Sequence, residues 1–129
     1  MVYLMIESIY VLDDSDGIMG YGLRTKIWIV DPAGNVLFGM GRVKILEAID
    51  RGGSINAAAK ELKMSYRAVW MRIRASEKRI GRELVVRCGK GSRLTPFAEN
   101  LMKQYKRLLA ILEKESDEVY QHLMSDKLT

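Results

Sequence analysis

The first 39 residues carry the hydrophobic pattern of β-strands. Residues 2–12 and 25–30 are dense in Ile, Val, Tyr, Trp and Leu, as strands are. Residues 31–35, with the sequence DPAGN, are turn formers, and the apolar segment 36–38 follows them. The pattern therefore predicts one strand over 2–12, and a hairpin in which 25–30 and 36–38 pair across a five-residue loop.

From residue 41 onward the apolar positions recur at helical spacing. The residues from Val43 to Ile49 place their apolar side chains on one helical face, and the pair Gly52-Gly53 ends that helix. Two further helices are predicted, one starting after Ser54 and one running from about residue 66 to residue 80. Gly81 ends the last of them.

The segment 54–70 predicts a helix-turn-helix. The hydroxyls of Ser54 and Ser65 can each cap a helix by accepting a hydrogen bond from a free backbone N–H of the first turn. Two short helices joined by a tight turn form a motif whose second helix enters the DNA major groove N-terminus first. Tyr66 and Arg67 then lie where base edges would be met.

Two short strand patterns follow, at residues 84–87 and 92–95, on either side of the basic, glycine-bearing turn 88–91. A β-hairpin directly after a recognition helix defines a winged helix-turn-helix. Pro96 suits the first position of a helix that Thr95 can cap. The sequence predicts that this long helix runs from about residue 97 to residue 123.

The long helix carries an apolar seam that suits a coiled-coil partner. Packing against its own domain is the alternative over the first two turns, whereas beyond Ala110 the pattern favours a second subunit. The predicted dimer contacts are Leu101, Tyr105, Leu108, Leu112 and Val119.

Together these elements predict an α+β fold, a winged helix-turn-helix with an N-terminal β-hairpin region and a long C-terminal dimerisation helix. The predicted divisions are a β-rich extension over 1–39, the DNA-binding domain over 40–96 and the dimerisation helix over 97–124. A chain of 129 residues suits one such domain with a small extension.

The charge distribution indicates a polyanionic partner. The net charge is +5, but residues 41–107 hold 17 Lys and Arg against 6 Asp and Glu. A basic region clustered on the helix pair is the electrostatic footprint of nucleic acid. One cysteine, Cys88, excludes an internal disulfide and fits a reducing cytosol. With one histidine, His122, the chain offers too few ligands for a metal site, and we expect no enzyme, no cofactor and no membrane span.

Four segments resemble the LysR-type regulators, and more sharply the ModE-type molybdate-dependent ones. They are GMGRVKILEAI at 39–49, GSINAA at 53–58, MSYRAVW at 64–70 and LTPFA at 94–98. The resemblance covers roughly residues 24–112 and implies DNA binding. Such regulators usually continue into β-barrel domains that bind molybdate. None follows in this sequence, so we expect no tight molybdate binding. Residues 1–23 lie outside the family's usual hairpin.

The candidate contacts have distinct roles. Arg67 can bond the O6 and N7 of a guanine or bind a phosphate, and Trp70 can pack on the DNA backbone or in the core. Cations beside a glycine-bearing wing tip suit the minor groove or the backbone, although an ordinary solvated hairpin is the alternative. The predicted DNA-binding residues are Ser54, Ser65, Tyr66, Arg67, Trp70, Arg74, Arg87, Lys90 and Arg93.

The sequence thus predicts a sequence-preferring transcription regulator that binds double-stranded DNA as a cytoplasmic, nucleoid-associated homodimer. Two alternatives remain open at this point. One is an architectural protein that coats DNA with little sequence preference. The other is an interaction module that pairs with a larger regulator through the long helix.

Overall fold

A computed structural model describes the backbone of residues 3–13 and 20–127 and the side chains of residues 25–123. The N-terminal part of the fold is a sheet and the rest is a helical domain with a small hairpin. The elements are β1 (Tyr3–Asp13), β2 (Gly20–Val30), β3 (Val36–Gly39), α1 (Met40–Gly52), α2 (Ile55–Leu62), α3 (Tyr66–Ile80), β4 (Val85–Cys88), β5 (Gly91–Leu94) and α4 (Pro96–Lys127).

The first three strands form one antiparallel sheet in the order β1-β2-β3. The β1–β2 register runs from Tyr3 opposite Val30 to Asp13 opposite Gly20, so β2 begins five residues earlier than the pattern predicts. The predicted hairpin between β2 and β3 is confirmed. Its loop is held by Asp31, whose carboxylate accepts hydrogen bonds from the backbone of Ala33 and from Asn35.

The helix ends follow the predicted capping chemistry. The hydroxyls of Ser54, Ser65 and Thr95 each accept a hydrogen bond, at 3.0 to 3.1 Å, from the backbone N–H three residues later. Gly53 and Gly81 adopt the left-handed conformation that closes α1 and α3. The first three helices therefore begin and end within a residue or two of their predicted places, whereas α4 ends at Lys127, about four residues beyond its predicted end.

One hydrophobic core joins the sheet to the helices, across the predicted boundary at residue 39. Ile27 of β2 and Phe38 of β3 are buried together with the apolar faces of α1 and α3. Tyr105 of α4 completes this core: its ring meets Phe38 edge-on at 5.5 Å, and its hydroxyl donates a hydrogen bond of 2.8 Å to the carbonyl oxygen of Ile27. The division of the chain into three parts remains a prediction.

The assignment of Tyr105 to a dimer interface is wrong, because its side chain is 3% exposed and buried in its own domain. Leu101, Leu108 and Leu112 of the same seam also pack against this core, although they are only half-buried. The physical reason is that α4 lies along β2, which supplies the surface that the seam covers. Val119, by contrast, is 68% exposed.

Candidate nucleic-acid interface

Helix α3 exposes a basic face to solvent. Val69 and Ile73 are fully buried and fix the inward face of the helix. Since each residue advances the helix by about 100°, Arg67, Met71 and Lys78 lie on the opposite side, and all three are exposed. This face has the shape and charge that a major groove accepts.

The N-terminal end of α3 presents Tyr66 and Arg67, as predicted. Tyr66 is 53% exposed. Arg67 is exposed, and no carboxylate forms an ion pair with it among the residues whose side chains are described. The hydroxyls of Ser54 and Ser65 are engaged as helix caps, so their contact with DNA stays a prediction.

Trp70 lies at the surface, 42% exposed, rather than in the core. The Arg74 guanidinium is 5.9 Å from the centre of its ring and forms an ion pair with Glu77 at 2.5 Å. Arg74 is therefore partly neutralised within the chain. Its cation and the indole ring are close enough for a cation–π contact. The hairpin β4–β5 follows α3, and we call it the wing.

Glu77 connects α3 to the wing and was missed by the sequence reasoning. Its carboxylate is nearly buried and accepts hydrogen bonds from the backbone N–H groups of Leu84, at 2.8 Å, and Val85, at 3.2 Å. The carboxylate thus holds the start of β4 against α3. An acidic residue in the last turn before the helix-ending Gly81 gives no sequence signal of this role.

The wing is a two-stranded hairpin with a two-residue tip at Gly89 and Lys90. Cys88 pairs with Gly91, and Arg87 pairs with Ser92, so each strand lies about one residue from its predicted range. Gly89 takes the left-handed conformation that the tip needs. The wing cations Arg87, Lys90 and Arg93 are all exposed.

The register places Arg87 and Arg93 on opposite faces of the wing, since Arg93 pairs with Val86, the neighbour of Arg87. A single flat surface therefore cannot contact both arginines, whereas a groove that receives the wing edge-on can. The wing is also tied to the helix-turn-helix, because the N–H of Ser92 donates a 2.8 Å hydrogen bond to the carbonyl oxygen of Gly53.

Met71 is a second residue that sequence reasoning missed. It lies one turn after Arg67 at the centre of the outward face and is 51% exposed. An exposed apolar side chain in this place can contact a thymine methyl group. The signal was the spacing of four residues from Arg67, which puts the two on one face.

The described residues contain no group of three or more His, Cys, Asp and Glu side chains placed to hold a metal ion. In the same part of the chain, no helix is long and apolar enough to cross a membrane. Cys88 is an exposed free thiol.

Residues 40–99 match the family described as "Bacterial regulatory helix-turn-helix protein, lysR family". The transcriptional regulator ModE of Haemophilus influenzae is 35% identical over 91 residues, which are 67% of this chain and 34% of that protein. The molybdenum transport protein ModE of Azotobacter vinelandii is 39% identical over 72 residues, or 52% of this chain and 27% of that protein. The chain therefore spans about a third or less of these curated relatives.

Solved structures share the fold. The CbnR_DBD–DNA complex superposes with a TM-score of 0.53 and 24% identity, covering 66% of this chain and 98% of the other. The BenM_DBD/benA site 1 DNA complex gives a TM-score of 0.53 and 16% identity, covering 70% and 99%. The predicted winged helix-turn-helix fold with a long C-terminal helix is thereby confirmed.

Proposed function

We propose that this chain, in which residues 40–99 are a LysR-type helix-turn-helix domain, is a sequence-preferring, DNA-binding transcription regulator that acts as a homodimer. Helix α3 enters the major groove and the wing contacts the backbone or the minor groove. The protein acts on the nucleoid in the cytoplasm, and its function includes no catalytic step.

The outward face of α3 carries this proposal. Arg67 is exposed near the N-terminus of the helix, and Met71 and Lys78 continue the same face. An arginine in this position can bond guanine O6 and N7 together, which discriminates against a wrong base by about 1–3 kcal/mol. The exposed wing cations add phosphate contacts that carry no sequence information.

Selection of bound duplexes from a random DNA pool tests the proposal, followed by titration of a selected and a random duplex at several salt concentrations. We expect an enriched sequence that binds at least about 1,000-fold more tightly than random DNA, as specific regulators do. Equal affinity for the two duplexes would contradict a sequence-preferring regulator and favour the architectural alternative.

The homodimer is proposed on the exposed apolar residues of the second half of α4. Ile111, Val119 and Leu123 are between 40% and 68% exposed. Light scattering at micromolar concentration should give twice the monomer mass. Val119→Asp should shift the protein toward monomer, whereas Gln121→Asp, which places the same charge on the other side of α4, should not. A wild-type monomer would refute the dimer.

Molybdate binding is not part of the proposed function, although two relatives carry molybdenum or ModE in their names. We expect calorimetry to detect no tight binding of molybdate to this chain. Binding at micromolar concentration or tighter would overturn this expectation.

A further inference from the structure

Three arginines, two from α3 and one from α1, lie close together on the side of α3 that is away from the wing. Arg42 of α1 donates from Nε to the Ser76 hydroxyl at 2.7 Å, and Arg79 donates to the carbonyl oxygen of Val36 at 2.9 Å. Arg72 has a weak contact of 3.7 Å with the sulfur of Met64. We call Arg42, Arg72 and Arg79 the arginine cluster.

Arg42 and Arg79 are each held by an uncharged oxygen, so they are fixed in place without being neutralised, and the weak sulfur contact of Arg72 leaves its charge uncompensated too. Other cations of the described chain differ: Arg51 binds Glu61 and Glu47, and Lys106 binds Glu47. No ion pair within 4 Å involves any member of the cluster among the residues with described side chains.

The three charges also act on one another. Burial, followed by the charges of Arg72 and Arg79, lowers the pKa of Arg42. Hydrogen bonds from Asn35 lower the pKa of the Asp31 carboxyl, and the charge of Arg79 adds a smaller contribution in the same direction. Like charges held together without a bound counter-ion create a positive potential that favours an anion.

The cluster occupies a defined flank of the recognition helix. Arg72 and Arg79 lie about a quarter turn to one side of the outward residue Met71, whereas Trp70 lies about a quarter turn to the other side. The second flank meets the wing, and the first meets β3 and the start of α1. An open cavity of about 170 Å³ lies next to the cluster and is lined partly by Arg42 and Arg79.

We propose that the arginine cluster binds phosphates of the DNA backbone at the edge of the major groove opposite the edge that the wing contacts. A helix with its side chains is about 10–12 Å wide and the major groove about 12 Å, so the two flanks of α3 face the two phosphate strands. The inference rests on the proposed function and adds a second set of backbone contacts to it.

The test uses Arg72→Met and Arg79→Met in the full chain, singly and combined. These arginines are exposed, whereas Arg42 is half-buried and its replacement risks the fold. Lys114→Met is the matched control, because it removes the same charge from an exposed position on α4. Thermal melting verifies that each variant is folded. Affinities for a selected and a random duplex are measured from about 50 to 200 mM salt.

We expect each arginine variant to weaken both duplexes by the same factor. The slope of log affinity against log salt should become shallower by about 0.9 for each phosphate that the variant no longer neutralises. Over this fourfold salt range, the affinity of the variant should then fall about 3.5-fold less than that of wild type for each such phosphate. Lys114→Met should leave the slope unchanged.

Two results would overturn the inference. One is a folded Arg72→Met, Arg79→Met double variant with the wild-type slope, while Lys90→Met flattens the slope; DNA binding would then stand without the arginine cluster. The other is saturable binding of inorganic phosphate, abolished in Arg79→Met with an unchanged DNA slope, which would make the cluster a free-anion site. If wild type itself binds no duplex, the proposed function fails instead.

Discussion

We expect the side chain of Glu77 to hold the wing against α3. Its Oε2 accepts hydrogen bonds from the N–H groups of Leu84 and Val85, two residues that are 0% and 2% exposed. In Glu77→Ala these donors lose their acceptor in a place that water does not reach. A buried donor without a partner costs about 1–3 kcal/mol.

The two donors are not equal, since the bond from Val85 is 3.2 Å long and that from Leu84 is 2.8 Å. The ion pair with Arg74 adds at most about 1 kcal/mol, because the Arg74 side chain is 43% exposed. We therefore expect Glu77→Ala to lower the free energy of unfolding by about 2–4 kcal/mol. Glu77→Gln keeps an oxygen acceptor but loses the charge, and should cost about half as much.

Urea denaturation at constant pH tests the expected order of the three unfolding free energies. The midpoint should fall from wild type to Glu77→Gln to Glu77→Ala with an unchanged denaturant slope. Glu83→Ala is the control, because Glu83 is exposed and, among the described side chains, its own side chain makes no hydrogen bond or ion pair; its backbone carbonyl accepts from Thr95. If Glu77→Ala changes the stability no more than Glu83→Ala does, the carboxylate does not hold the wing and the reasoning is refuted.

Three further predictions follow from the geometry. Arg67→Ala should weaken binding to a selected duplex far more than to a random one in titrations, whereas Lys90→Ala should weaken both equally; equal factors for Arg67→Ala would make Arg67 a backbone contact. Tyr105→Phe should lower the unfolding free energy by about 1–2 kcal/mol in urea. Burial raises the pKa of the Tyr105 phenol above its unfolded value, so wild-type stability should fall as the pH rises above about 10, and less in Tyr105→Phe. Gly91→Ala should loosen the wing, because the new methyl group would meet the carbonyl oxygen of Gly53; hydrogen exchange that is unchanged in β5 would contradict this.

Local chemistry explains which parts of the fold could be predicted from sequence. A serine cap such as Ser65 needs only an N–H three residues away, and a left-handed glycine such as Gly81 closes a helix without distant help. The wing is equally local, since Cys88 and Gly91 pair across a two-residue tip. Each of these features depends on residues only a few positions apart, so it can be predicted from a single sequence.

Long-range contacts explain what the sequence did not reveal. The hydrogen bond between Tyr105 and Ile27 spans 78 positions, so the seam of α4 looked free for a partner although β2 covers part of it. Tyr120 is buried as well, although it lies past Ala110, where the pattern favoured a second subunit. A helical seam shows that a face is apolar, but only the tertiary fold decides which surface buries it.

For charge, too, the sequence shows which residues are cations, but only the tertiary fold decides which of them remain unpaired. The excess of cations over residues 41–107 is a property of the sequence, but carboxylates remove some of these charges from use. Arg74 is paired with Glu77 and Arg51 with Glu61. Arg67 on the outward face, by contrast, has no such partner among the described side chains, and neither does Arg79 on the flank. Unpaired cations attract phosphate, whereas cations in ion pairs are already neutralised. The surface around α3 therefore attracts a polyanion such as DNA more strongly than the net charge of the chain implies.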